Sequence, residues 1–436
     1  MGWIKKILLF IFGLIAILAI SFFAYKYYRS SKANQIKVPE NTFAVVKINI
    51  DDLLLEMFKN SLSNYTDYYQ SREDTSKIKS PKIWNIGLDI PAVLYLFTLS
   101  DTSYQYYTVL NVNNKSKLES FLTNQLGLSV DSTFQSQSDG LQKLHKKHVT
   151  ILLGDKKMVL SLGSKSADNT LMDLLKSDQQ NWFLVNSLGE EVKEINDGDL
   201  TYVDKNKNWS NLNFKDGMFE FSGYFKSDLF RFPSEALQRE ISNDNILSFQ
   251  LNTDLSLIFK NRQADLEKLN LPVDSIYQYV GNYVDIALKD KLVLERDTII
   301  TYDYDDNFEM IEKKEVQEIE VPDLSFHIKA SPHLLSYLPE KIFYKFTKTH
   351  SQGLINLSTN HDLKQSEQYN PSEYVLLFNY VNKPLSARYL NWLPNYDKIN
   401  LAEIKGTAIS SNELNLFGKF EFNNSRLHSF YQLLKD

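Results

Sequence analysis

The 436-residue chain contains no cysteine. That absence excludes a disulfide framework, a thiolate metal site, a thiol nucleophile and a lipid-modified cysteine anchor. It leaves the compartment open, because an oxidising space permits disulfides without requiring them. Glycine (15) and proline (11) are scarce, and the glycines are scattered. Neither G-x-x-x-x-G-K nor G-x-G-x-x-G occurs, so no phosphate-cradling loop is available. G-x-S-x-G and H-E-x-x-H are missing as well, which removes a nucleophile elbow and a zinc-protease helix. A surplus of positive charge is also lacking, since 48 Lys and Arg stand against 54 Asp and Glu. Residues 1–37 hold six of the basic residues and no acidic one, leaving 42 basic against 54 acidic beyond them. A body with that deficit does not coat a polyanion, so nucleic acid is excluded as a partner. No cofactor and no metal site is expected.

What the chain does have is an unbroken uncharged run, Ile7 to Ala24. Eighteen helical residues rise about 27 Å, close to a hydrocarbon core of roughly 30 Å. Trp3 stands at one border and Tyr25, Tyr27 and Tyr28 at the other, where amphipathic rings favour the interface, and Lys5, Lys6, Lys26 and Arg29 have stems long enough to snorkel to headgroups. A cleaved signal shares the basic start and apolar core, but its core is shorter and its cleavage site needs small residues where Phe22, Phe23, Tyr25 and Tyr27 stand. The segment reads as a retained single-pass anchor whose first partner is the lipid bilayer. The flanking charge alone favours the opposite direction, with Lys26, Arg29, Lys32 and Lys37 after the span. The positive-inside rule is counted over short loops, and long domains translocate largely regardless of it. The expected topology is therefore N-terminus inside and body outside the cytoplasm, on the periplasmic or extracytoplasmic side of a cell inner membrane.

After the anchor, Val38-Pro39-Glu40-Asn41-Thr42 leads into the apolar stretch Phe43 to Ile48. This opening resembles that of a group of membrane-anchored extracytoplasmic bacterial proteins of unknown function, in which V/I-P-x-x-T/A enters a hydrophobic strand. The resemblance covers about a dozen residues and the general layout, and it implies topology only. Residues 1–24 are then the anchor with a short cytoplasmic start, 25–37 a juxtamembrane tether, 38–200 a first α+β domain and 201–436 a second. The boundary is placed in the polar stretch 196–215.

One local arrangement returns five times: a strand runs into Asn, then a small polar residue, then paired apolar positions at helical spacing. The Asn positions are Asn49, Asn111, Asn252, Asn379 and Asn423. Asn, Asp and Ser tolerate turn dihedrals and accept hydrogen bonds from free amides at a helix start. The irregular spacing excludes a fixed-period solenoid and reads as reused strand-to-helix units in related domains. The bland reading is capped helices on a sheet; the sharper one makes these five residues ligand-facing, with helix starts converging on an anion. Strands are expected at 92–100, 104–112, 148–153, 158–162 and 219–225, hairpin turns at Gly154 to Lys157 and at Asp305 to Asn307, and helices at 168–176, 234–241 and 332–348. The class is α+β, mainly antiparallel, with recurring strand-to-helix units and one N-terminal transmembrane helix.

Other motif fragments carry little chemistry. Ser76 and Lys79 match S-x-x-K without its companions. His145 and His148 form H-x-x-H around two lysines whose charge opposes a cation. Asp303, Asp305 and Asn307 start like a calcium loop, but Phe308 replaces its glycine and Lys314 its terminal glutamate. The 25 Tyr and 27 Phe suit pleated half-buried surfaces, and clusters such as Tyr65, Tyr68 and Tyr69 or Tyr104, Tyr106 and Tyr107 are alternatively stacking platforms for a sugar or a partner. Together these features describe a binding or scaffolding protein, non-enzymatic, with an envelope protein or glycan partner. The alternative is an envelope hydrolase whose carboxylates come from distant parts of the chain.

Overall fold

The computed structural model describes residue 21 and residues 24–33, 35–69, 86–101, 105–135, 140–163, 168–178, 182–185, 198–304, 310–361, 369–393 and 395–435. The apolar run 7–24 lies outside them except for Ser21 and Ala24, and among the described residues no helix is long and apolar enough to cross a membrane. The fold is mixed α/β and mostly antiparallel. It divides into two compact units, Met1–Phe214 and Lys215–Asp436, meeting at the far end of the polar stretch 196–215.

The first unit opens with helix α1 (residues 24–33), strands β1 (Lys37–Pro39) and β2 (Ala44–Ile48), and helices α2 (Ile50–Ser63) and α3 (Tyr65–Tyr69). Strands β3 (Leu94–Thr98) and β4 (Tyr106–Asn111) follow, then helix α4 (Lys115–Ser120), continued by a π-helical turn at Phe121–Gln125. Next come β5 (Ser129–Val130), α5 (Ser132–Gln135), β6 (Gln142–Lys146), β7 (Val149–Leu153), β8 (Lys157–Leu162), α6 (Asp168–Lys176), β9 (Trp182–Leu184), β10 (Leu200–Asp204) and β11 (Trp209–Lys215). The antiparallel sheet runs β11-β10-β2-β3-β4-β8-β7-β6-β5, and β1 pairs separately with β9 as a short ribbon. Apolar residues occupy both pleat faces of the central strands: Leu152 and Val159 join the core beneath the ribbon and α6, while Ile151, Leu153 and Met158 join Leu118 and Leu122 beneath α4. That two-sided burial is why these strands read as continuous apolar runs.

In the second unit β12 (Met218–Lys226), β13 (Ala236–Arg239) and β14 (Asn245–Asn252) lead into helices α7 (Leu255–Asn261), α8 (Gln263–Lys268) and α9 (Val273–Tyr279). The long hairpin β15 (Val280–Tyr304) and β16 (Met310–Ala330) follows, then a 3-10 turn at Pro332–Ser336 and strands β17 (Thr347–Ser351) and β18 (Leu354–Ser358). The chain closes with β19 (Tyr369–Ser372), β20 (Tyr374–Val381), α10 (Ser386–Leu390), β21 (Ile399–Ser410), β22 (Glu413–Phe422) and α11 (Ser429–Leu434). The sheet order is β12-β22-β21-β20-β14-β15-β16-β18-β17, again antiparallel, and β13 pairs separately with β19.

The two units are one topology used twice. In chain order β2, β3, β4, β7, β8, β10 and β11 correspond to β14, β15, β16, β17, β18, β20 and β21, and in both sheets these strands lie in the spatial order seventh, sixth, first, second, third, fifth, fourth. Helices follow the first strand in each unit, and a helical turn follows the third. Each unit also pairs a strand lying before the first sheet strand with one lying between its fifth and sixth, giving the ribbons β1–β9 and β13–β19.

Two expected helices are absent. The stretch 234–241 has helix-forming residues, yet Ala236–Arg239 is strand β13, held by its ladder to β19 and by side chains of β14 that bond its backbone. Tertiary pairing there overrides propensity. The stretch 332–348 gives only the 3-10 turn, because Pro339 interrupts it and Leu334, Leu338 and Phe346 each reach the core from a different backbone conformation. Helix α6 and the hairpins at Gly154–Lys157 and over β15–β16 lie where the sequence puts them.

Candidate functional site

Helix α1 places Lys26, Arg29 and Lys32 three residues apart along one flank. All three find carboxylates of the first unit. Arg29 donates from Nε and Nη2 to the two oxygens of Asp51 at 2.9 and 3.0 Å, and from Nη2 to the carbonyl of Ile90 at 3.0 Å. Lys26 pairs with Asp52, and Lys32 lies 3.7 Å from Asp89. Burial disfavours the Arg29 charge, but its hydrogen bonds to Asp51 and Tyr25 outweigh that, and its pKa is raised. Ala33 is buried in the core beneath. Within the stretch read as a tether, residues 24–33 are therefore a packed helix, and its basic groups engage protein carboxylates.

Under α1 lies a cavity of about 580 Å³. Its floor is β3 and β4, supplying Leu94, Tyr95, Phe97, Thr108 and Val109. Its sides are the ribbon β1–β9, with Val38 and Trp182, and the segment Asp89 to Ala92 that leads into β3. Tyr25 and Tyr28 of α1, both exposed, stand at its rim. Phe97 holds the ribbon in place through Trp182, ring centroids 6.0 Å apart and nearly edge-on. Four basic residues border the space, Arg29, Lys32, Lys37 and Lys157, against the two acidic residues Asp89 and Asp178. Among the described residues neither Lys37 nor Lys157 takes part in an ion pair. Burial pushes the Tyr95 hydroxyl from 10.0 up to about 12.

Under the ribbon of the second unit lies a buried polar cluster. Where the first unit has a phenol beside a cavity, the second has a buried carboxylate paired with Arg239 of β13 and 3.7 Å from Nδ1 of His327. Tyr283 hydroxyl approaches the Asp285 carboxylate at 3.5 Å; burial first, and that charge second, raise its pKa. Gln250 bonds the backbone of Arg239 through both its amide atoms, at 2.9 and 2.8 Å.

The five asparagines take different local roles. Asn49 and Asn111 belong to the first unit and the other three to the second. Asn49 makes no side-chain cap to α2 and donates instead to the carbonyl of Gly198 at 2.6 Å. Asn111 ends β4 and borders the cavity, while α4 is capped by Asn114, which accepts from the Lys117 amide at 3.0 Å. Asn252 bonds both backbone groups of Leu237 on β13, and Asp254 caps α7. Asn379 lies within β20, opposite Ser248 and Glu403. Asn423 donates to the carbonyl of Asp397 at 2.6 Å.

Among the remaining candidates, His145 is exposed one residue before the end of β6, and Lys147 turns with φ 48° before His148. Ser76, Lys79, Tyr104, Asp305 and Asn307 lie outside the described residues. Among the described residues no group of His, Asp and Glu is placed to hold a metal. In the aromatic clusters Tyr107 is buried against Phe97 and Tyr68 is buried with its hydroxyl donating to Asn60 at 2.6 Å, while Tyr106 is half-buried and Tyr65 exposed. The residues that line the cavity carry no motif. The available signal was the apolar run Ile90 to Leu99, too apolar on both faces for a half-solvated strand. No family model, no curated protein and no solved structure matches this chain.

Proposed function

We propose that this chain is a single-pass membrane-anchored protein whose body lies outside the cytoplasm and works by binding rather than catalysis, with the cavity of the first unit as its binding site. The observation that supports the reading is the cavity itself: about 580 Å³, within the usual size of ligand sites, with walls shared between apolar and polar groups. Helix α1, which lines the space, begins where the apolar run 7–24 ends, so a retained anchor holds the site beside the bilayer. A second reading, an envelope hydrolase, finds its carboxylates in Asp89 and Asp178 on the cavity border, but Asp89 is committed to Lys32. The test is crosslinking and affinity capture of the intact chain and of the Asp89→Asn, Asp178→Asn variant. Retention of an envelope component by both, lost when Ala92→Trp fills the cavity, supports binding. Hydrolysis of an envelope polymer that the asparagine variant loses overturns it.

A further inference from the structure

We infer that the cavity of the first unit takes an amphiphile with one apolar tail and an anionic head, a carboxylate or a phosphate; this rests on the reading of the cavity as the binding site. The walls select the tail. Ile36, Leu94, Val109 and Trp182, all half-buried, present carbon surface to the space. The border selects the head. Arg29 and Lys32 are directed to Asp51 and Asp89, whereas Lys37 and Lys157 border the same space and have no carboxylate partner among the described residues. On a chain with an acidic excess, a cavity ringed by four cations and two anions is a local reversal of sign. The Tyr95 hydroxyl, a donor at neutral pH as any phenol is, lines the floor.

The source of such a molecule is either a free fatty acid or a membrane lipid bearing one chain, and both present the same chemistry.

The test uses the full chain in nanodiscs of uncharged phosphatidylcholine. Three photoreactive probes with a diazirine at the tail end are compared: laurate, dodecanol and a lysophosphatidylglycerol. The expected result is saturable labelling of peptides from β1, β3 and β9 by laurate, by the lysolipid or by both, and at least tenfold weaker labelling by dodecanol. Which anionic probe labels more identifies the source. Lys37→Glu with Lys157→Glu, two surface changes that leave the melting temperature unaltered, should weaken anionic labelling about tenfold. Ala92→Trp should abolish it. Equal labelling by dodecanol, or indifference to the lysine reversals, overturns the anionic head while leaving the cavity as a binding site. No cavity labelling by any probe overturns the ligand class, and the affinity capture described above then decides separately whether the cavity binds anything else.

Discussion

Arg29 and Asp51 form a two-point ion pair, 2.9 and 3.0 Å, between the helix that follows the apolar run and the first turn of α2, twenty-two residues on. The pair fixes how α1 lies over the cavity, because the same guanidinium also grips the Ile90 carbonyl at the cavity wall. Both side chains are about a quarter exposed, so water moderates the attraction. Replacing Arg29 with Ala is expected to cost about 1 kcal/mol locally. Amide hydrogen exchange over residues 26–33 should then accelerate about fivefold, and the exchanged pair Arg29→Asp with Asp51→Arg should recover most of the protection.

The buried pair Arg239 and Asp285 should respond differently. Asp285 is wholly buried and Arg239 nearly so. Arg239→Met strands the carboxylate and should lower unfolding stability by about 3–5 kcal/mol, whereas adding Asp285→Leu should return most of that loss. Denaturant unfolding of the two variants measures the difference. A double variant as unstable as the single one would show that the cluster does more than compensate its own charges.

Tyr95 gives a pH dependence with a defined sign. Its hydroxyl ionises near 10.0 when unfolded and at about 12 in the fold, because burial penalises the phenolate. The contribution is fully present below pH 10 and is lost as pH rises from 10 to about 12, amounting to roughly 3 kcal/mol. Unfolding free energies measured across that window should fall more steeply for the native chain than for Tyr95→Phe.

Gly87 has φ +85°, and a Cβ there would stand 2.2 Å from the carbonyl oxygen of Asn114. That oxygen accepts the first helical hydrogen bond of α4, from Leu118, at 3.1 Å. Gly87→Ala is therefore expected to cost about 3 kcal/mol and to loosen the α4 cap. Thermal unfolding measures the loss, and Asn114→Ala should show only about 1 kcal/mol of it.

Much of the fold was legible because local pattern and tertiary role agree. Asp168 to Lys176 carries its apolar stripe at helical spacing and packs it, through Leu171 and Leu174, on the sheet. Gly154 to Lys157 turns because nothing else competes for it, and the 154 amide bonds the 157 carbonyl at 2.9 Å. Pattern failed at Ala236 to Arg239, where the partner that makes a strand is more than 130 residues away. Of the five asparagines only Asn111 borders the cavity, since the turns they occupy are spent on ribbons and loops inside each unit.

The chain by itself determined its absent chemistries, its apolar run, its acidic excess and the identity of most strands, because composition and periodicity act over a few residues at a time. Tertiary structure alone decided that the two halves share one strand order and that a cavity lies beside the ribbon joining residues 37–39 to 182–184. Which pleat face a residue enters, and whether an arginine or empty space lies beneath a ribbon, depend on contacts between segments far apart in sequence, whose energies no local window contains.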